Sequence, residues 1–131
     1  MKRVLFVCIE NAGRSQMAEA FANKYGKDKL TSSSAGNRPA DNVNPIVIEV
    51  MREKGIDISN KKPRLLTYEI AQDADYIVTM GCSEQGICPG PFFKPTIEWN
   101  LKDPKGKPIR EVREIRDQIE KLVQELIKNL N

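Results

Sequence analysis

A cysteine and an arginine near the start of the chain are separated by five residues, and a serine follows the arginine: Cys8, Arg14 and Ser15. A cysteine thiolate is a nucleophile, and a guanidinium grips a tetrahedral oxyanion through two parallel hydrogen bonds. A serine hydroxyl beside the sulfur can donate a hydrogen bond to it. The three side chains predict a nucleophile and an anion-binding group within one loop.

The segments on either side of this loop favour the same chemistry. Residues 4–7 are a continuous apolar run that predicts a buried strand, and apolar residues after Ser15 recur near helical spacing. A loop between a strand end and a helix N-terminus presents unpaired N–H groups and a positive dipole end to an anion, and it also favours the Cys8 thiolate. We therefore expect the anion to be bound by the loop residues Ile9, Glu10, Asn11, Ala12, Gly13 and Arg14.

Each of these residues also has a plain structural interpretation. A buried cysteine can close a strand, and an arginine can pair with a surface carboxylate. The joint spacing is much harder to obtain by chance, especially with Gly13 giving backbone freedom and Asn11 tolerating a left-handed conformation. The pattern as a whole favours the functional interpretation.

The stretch from Cys8 to Ser15 resembles the C-x5-R-S phosphate-binding loop of low-molecular-weight tyrosine phosphatases and of the arsenate reductases that share their fold. The resemblance extends over nearly the whole chain. It implies that Ser34 holds Asn11 in place and that Asp103, followed by a proline, is the general acid. Without the resemblance Asp103 is only a loop aspartate. One departure is that Ala and Gly stand before the arginine, where many of the reductases have Ser and Cys.

Two further cysteines, Cys82 and Cys88, follow a strand predicted at residues 75–80. Ligand and catalytic groups collect at the C-terminal ends of parallel strands. The polar residues between the cysteines and the Pro-Gly-Pro after them mark a surface loop, a poor place for inert buried thiols. With no histidine and five residues between the two cysteines, a structural zinc site is disfavoured, and we predict no metal.

The resemblance separates two activities at these positions. Phosphatases of this type usually carry aromatic residues after the Asp-Pro pair, where this chain has Lys105 and Gly106. Thioredoxin-coupled arsenate reductases use two further cysteines, which match Cys82 and Cys88. The resemblance thus implies reduction of arsenate to arsenite through a Cys8 adduct, a Cys8–Cys82 disulfide and then a Cys82–Cys88 disulfide, with residual phosphatase activity beside it.

The implied reductant is thioredoxin or a similar dithiol, and no bound cofactor is expected. The alternative is a phosphatase that hydrolyses phosphate monoesters through a phosphocysteine. A third possibility, an arsenite or zinc sensor with three thiolates, leaves Arg14 and Asp103 without a role.

Length and composition limit the remaining classes. A chain of 131 residues is expected to be one domain, residues 1–131, with a core that needs no metal or disulfide. The 21 Lys and Arg residues exceed the 18 Asp and Glu residues by three, without a basic block, which argues against a nucleic-acid surface. Neither a signal peptide nor a membrane span is indicated, so a cytoplasmic location is expected.

The order of predicted elements indicates the fold class. It runs strand, helix, strand, two helices, two strands and a long final helix over residues 109–130. Asn44 before Pro45 predicts one helix start, Gly55 a helix end, and Thr67 the start of a short helix. This order predicts a four-stranded parallel sheet with helices on both faces, a three-layer αβα fold like that of the low-molecular-weight phosphatases.

Overall fold

The computed structural model describes residues 1–80 and 96–130, so that Cys82 and Cys88 lie outside the described residues. The elements follow the predicted order, and the sheet is parallel throughout its described pairs. Their bounds are β1 Lys2–Cys8, α1 Arg14–Tyr25, β2 Leu30–Gly36, α2 Pro45–Arg52, α3 Tyr68–Gln72, β3 Tyr76–Met80, β4 Thr96–Trp99 and α4 Ile109–Asn129.

The four strands lie in the order β2-β1-β3-β4. The chain leaves β1 toward one side to form β2 and later adds β3 on the other side. Cys8, the last residue of β1, pairs with Gly36, the last residue of β2. The point where the strand order reverses therefore lies at the end of β1, which is where ligands bind in open α/β sheets.

Alternate side chains of β1 enter two separate cores. Val4, Phe6 and Cys8 belong to a large apolar cluster, together with residues of α1, α2 and α4. Leu5 and Val7 belong to a smaller cluster that includes residues next to or within α3. Because both faces of the strand are covered, its sequence is apolar without alternation. The predicted three-layer αβα architecture is confirmed.

The predicted helix boundaries are confirmed by their capping contacts. The Asn44 side chain accepts a hydrogen bond from the backbone N–H of Ile46, at 3.0 Å, and Thr67 caps α3 through the N–H of Ile70. The second helix ends at Arg52, and Gly55, predicted to end it, lies in the turn that follows, with φ 75°, a left-handed value that glycine adopts without strain. No helix among residues 1–80 and 96–130 is long and apolar enough to cross a membrane.

Candidate active site

The candidate site lies in the loop that joins β1 to α1. Cys8 closes the strand and Arg14 opens the helix, so the loop between them is the strand-to-helix connection that the sequence predicts. The backbone N–H of Met17 donates to the carbonyl of Gly13, which starts the helical ladder. The first N–H groups of α1 have no acceptor within the helix, and they lie at its positive end.

The Cys8 sulfur is in contact with Ser15. Its Sγ lies 2.8 Å from Ser15 Oγ, and the Asn11 side-chain amide donates to the same Oγ at 2.7 Å. Since Ser15 accepts from Asn11, its own hydroxyl hydrogen is available to the sulfur. A thiolate has no hydrogen to give, so with Cys8 ionised Ser15 is the donor, and the hydrogen bond stabilises negative charge on the sulfur.

Asn11 adopts the left-handed conformation that the sequence allows it, with φ 51°. Its Oδ1 accepts hydrogen bonds from the Arg64 backbone N–H at 3.0 Å and from Gln16 Nε2 at 3.1 Å. A left-handed asparagine costs free energy, and these contacts hold it in place. Neither Gln16 nor Arg64 was predicted as a site residue.

The predicted role of Ser34 is corrected by this geometry. Its hydroxyl donates to Glu19 Oε1 at 2.5 Å, and Glu19 also pairs with Lys61 at 3.3 Å. A carboxylate is a stronger acceptor than a neutral amide, so the serine turns to Glu19 instead of Asn11. The partners of the Asn11 side chain are those described above, on α1 and on the segment around Arg64.

Two carbonyl groups of the loop are hydrogen-bonded to the segment that follows β2. The segment after β2 donates backbone N–H groups from Arg38 to the carbonyl of Ile9 at 2.9 Å and from Ala40 to that of Glu10 at 3.0 Å. In a trans peptide the N–H of the next residue points opposite to the carbonyl. The N–H groups that follow Ile9 and Glu10 are therefore turned away from that segment, which leaves them out of its hydrogen bonds.

Arg14 and Asp103 meet beside this loop. The Arg14 side chain is buried and donates to the carbonyl of Leu101 at 3.0 Å, while its second terminal nitrogen lies 3.8 Å from Asp103 Oδ2. The other carboxylate oxygen, Oδ1, accepts the backbone N–H of Lys105 at 3.0 Å. The guanidinium is therefore held on one side by a backbone carbonyl and faces the carboxylate on the other.

A cavity of about 340 Å³ opens between the loop and the segment around Asp103. At its rim, the Lys105 ammonium lies 3.0 Å from the Glu10 carboxylate, which links the two sides. Among the described residues, the cavity is lined by Cys8, Glu10, Ala12, Gly13, Arg14, Ala40, Asn42, Asn44, Asp103, Pro104, Lys105 and Gly106.

Of the ten predicted site residues that the structure describes, six line this cavity. Ile9, Asn11 and Ser15 are buried in the protein around it, and Ser34 contacts Glu19 instead. Gln16 and Arg64 were missed by the sequence analysis. The sequence shows only that a glutamine directly follows the loop motif. Its importance becomes visible in the structure, where Gln16 is buried, which is unusual for this residue type.

A thiol and an arginine at the switch point of a parallel sheet, with a carboxylate across the cavity, define a phosphatase-like α/β protein. Residues 3–131 match the family described as low molecular weight phosphotyrosine protein phosphatase. The chain belongs to this family.

Relatives within the family are named arsenate reductases. The chain is 39% identical over 131 residues to a putative arsenate reductase of Halobacterium salinarum, with 96% of this chain and 91% of the relative covered. A solved arsenate reductase in the phosphate binding state is 35% identical, with a TM-score of 0.88 and full coverage of both chains. A thioredoxin-dependent arsenate reductase of Corynebacterium glutamicum is also 35% identical, with a TM-score of 0.79, 98% of this chain and 60% of that chain covered. The resemblance stated from the sequence is confirmed.

Proposed function

We propose that this protein is an arsenate reductase, folded as one catalytic domain over residues 1–131. The observation that carries the proposal is the contact of 2.8 Å between Cys8 Sγ and Ser15 Oγ, in a loop that shares one cavity with Arg14 and Asp103. A sulfur held by a hydrogen-bond donor beside a buried guanidinium suits attack on a tetrahedral oxyanion. The names of the relatives support arsenate as that oxyanion.

In the first step the Cys8 thiolate attacks the arsenic atom of arsenate. A sulfur–arsenic bond forms and one arsenic–oxygen bond breaks, and the departing hydroxyl group takes a proton from the Asp103 carboxylic acid and leaves as water. Arg14 and the N–H groups of the loop stabilise the negative charge on the remaining oxygens. The arsenic stays pentavalent in this adduct.

The second step is the reduction. The Cys82 thiolate attacks the sulfur of Cys8, the sulfur–arsenic electron pair passes to arsenic, and arsenite leaves with a Cys8–Cys82 disulfide behind it. Cys88 then attacks Cys82, which frees Cys8 and forms Cys82–Cys88. Thioredoxin or a similar dithiol supplies the two electrons that restore both thiols, and the name of the Corynebacterium glutamicum relative supports this reductant.

The wall of the cavity favours a small oxyanion over an aryl phosphate. None of the described residues that line it is aromatic, and the residues after Asp103 and Pro104 are Lys105 and Gly106. A phenyl ring would find no stacking partner among them. Hydrolysis of phosphate monoesters through a phosphocysteine remains the second candidate function, since it needs only Cys8, Arg14 and Asp103 and is the activity for which the family is named.

The test of the proposed function is a reconstituted assay with thioredoxin, thioredoxin reductase and NADPH, run beside hydrolysis of an aryl phosphate ester. We expect arsenate-dependent oxidation of NADPH with one arsenite formed per NADPH. The Cys8→Ser variant should lose both activities and keep its fold. Ester hydrolysis without any arsenite would leave the phosphatase as the better assignment.

The Cys88→Ser variant tests the order of the disulfides. We expect it to release a single equivalent of arsenite and to stop with Cys8 joined to Cys82, which peptide mapping would identify. Ester hydrolysis should continue, because it uses only the loop cysteine. Sustained thioredoxin-driven turnover by this variant would contradict the proposed relay.

A further inference from the structure

The loop from β1 to α1 is anchored through five successive backbone carbonyls. Four of them accept backbone N–H groups: those of Ile9, Glu10 and Ala12 from the segment after β2, and that of Gly13 from Met17 within α1. The carbonyl of Asn11, in the middle of the row, accepts instead from a side chain, the Nε2 amide of Gln16, at 3.1 Å.

The Gln16 amide has only one workable orientation. Its Nε2 also lies 3.1 Å from Asn11 Oδ1 and 3.4 Å from the carbonyl of Lys62, so three acceptors face the nitrogen. Its Oε1 is buried without a described partner, and the whole side chain is 2% exposed. Turning the amide over would place an oxygen against three oxygens. An unpartnered buried oxygen costs free energy, and such costs are tolerated where a site requires them.

We propose that Gln16 is a positioning residue that fixes the shape of the anion cradle and thereby its affinity for tetrahedral oxyanions. It acts through Asn11, because it holds both the backbone carbonyl and the side-chain oxygen of that residue in the left-handed conformation at φ 51°. Only the identity of the oxyanion, arsenate, rests on the proposed function.

The same contacts reach the sulfur. Asn11 donates to Ser15 Oγ at 2.7 Å, and Ser15 Oγ lies 2.8 Å from Cys8 Sγ. If Asn11 left the left-handed conformation, the N–H groups beside it would turn away from the anion and the donor to the sulfur would move. Loss of the Gln16 amide should therefore weaken anion binding and also change the reactivity of Cys8.

The probe is inorganic phosphate, and the readout is protection of Cys8 from alkylation by iodoacetamide, followed by mass spectrometry of the Cys8 peptide. Gln16→Met keeps the length of the side chain and removes its donors. We expect phosphate to protect this variant about tenfold more weakly than the wild type, which corresponds to the loss of about one hydrogen bond. The rate of Cys8 alkylation without phosphate should change as well.

Ser32→Ala is the matched control, since it removes a hydroxyl that donates at 3.1 Å to the carbonyl of Glu19 on the same helix but away from the cradle. It should leave phosphate protection within twofold of the wild type. A Gln16→Met protein that melts at a lower temperature with unchanged phosphate protection would overturn the proposal, because Gln16 would then serve only the fold.

A second measurement uses the wild-type chain and needs no variant. The two Nε2 protons of Gln16 should exchange slowly with solvent, and their NMR signals should shift on saturation with phosphate. Rapid exchange of these protons, or chemical shifts that do not change when phosphate is added, would contradict the proposal. Because phosphate binding is measured without arsenic, a chain that forms no arsenite would overturn the proposed function and leave this result standing.

Discussion

The two sides of the cavity are built in opposite ways. On one side, the loop from β1 to α1 is partly exposed at Glu10 and Ala12 but otherwise buried, with Asn11 and Ser15 fully inaccessible. Its carbonyls are hydrogen-bonded to other groups of the chain. On the other side, the Asp103 side chain is 45% exposed and that of Lys105 is 69% exposed. Each of these two side chains forms one ion pair with the first side, and that of Asp103 with Arg14 spans 3.8 Å.

This difference suggests a division of roles. Binding of an oxyanion needs donors that are already in place, because any reorganisation reduces the gain from charge stabilisation. Delivery of a proton needs only that one carboxyl group comes within hydrogen-bond reach of the departing oxygen, which an exposed side chain on a loop can do. Changes on the buried side should therefore alter anion affinity, and changes on the exposed side should alter the chemical step.

The strongest test of this division is Asp103→Asn. If Asp103 is the general acid, the chemical step should slow by roughly a hundredfold or more. Phosphate protection of Cys8 should stay within about twofold, because the cradle is untouched. The rate of the chemical step is measured as formation of the Cys8 adduct in a single turnover. An unchanged rate with chemistry limiting would remove Asp103 from the mechanism.

Gly13 marks the place where the two sides touch. A Cβ at this position would lie 2.8 Å from Cγ of Pro104, a ring with little freedom to move. Gly13→Ala should push the segment that carries Asp103 away from the cradle, with a loss of roughly tenfold in the chemical step. Pro104→Ala in the same chain removes the clashing atom and should restore most of the rate. Failure of this second change to rescue the first would mean that the alanine disturbs the cradle itself.

The ion pair at the rim should have a smaller effect. Lys105→Met keeps the backbone N–H that bonds Asp103 but leaves the Glu10 carboxylate unpaired beside the incoming anion. Exposed pairs contribute little, so we expect KM for arsenate to rise by roughly twofold to fivefold with little change in kcat. High salt should reduce the difference. Lys102→Met, an exposed lysine just before Asp103, is the control and should show no such rise.

The contrast also explains what could be predicted from the sequence. The nucleophile, the arginine and the serine lie within one stretch, and their spacing alone places them around a helix N-terminus. The strands and helices followed from apolar runs and from caps such as Asn44. These features are local, and the structure confirms the fold that they predict.

The supports of the cradle could not be predicted in the same way. The donor to Asn11 Oδ1 is the backbone N–H of Arg64, 53 residues away, and any residue other than proline carries such a group. Nothing in the side chains of residues 61–64 marks them as a support of the cradle. The wrong role for Ser34 has a related cause, because the sequence does not show that the Glu19 carboxylate comes within reach of that hydroxyl.

The smallest effect on activity is expected at Glu53, which lies outside both sides of the cavity. Its carboxylate joins the end of α2 to α4 through Arg113 at 2.8 Å and Arg116 at 2.7 Å. The hydrogen bond from Arg113, and to a lesser extent that from Arg116, lowers the pKa of Glu53 to about 2. The carboxylate therefore stabilises the fold above the unfolded pKa near 4.3, and that stabilisation is lost as the pH falls from there toward about 2.

Glu53→Gln should accordingly melt at a lower temperature than the wild type at pH 7. The difference between the two melting temperatures should disappear as the pH falls from about 4.5 to 2. Glu125→Gln, which removes an exposed carboxylate from α4, provides the control with the same change of charge. Arsenite formation and phosphate protection at pH 7 should match the wild type in both variants. A depressed pKa of Glu53 requires the difference in melting temperature to vanish in acid. A difference that stayed constant over this range of pH would therefore show that the ion pairs with Arg113 and Arg116 do not stabilise the folded chain.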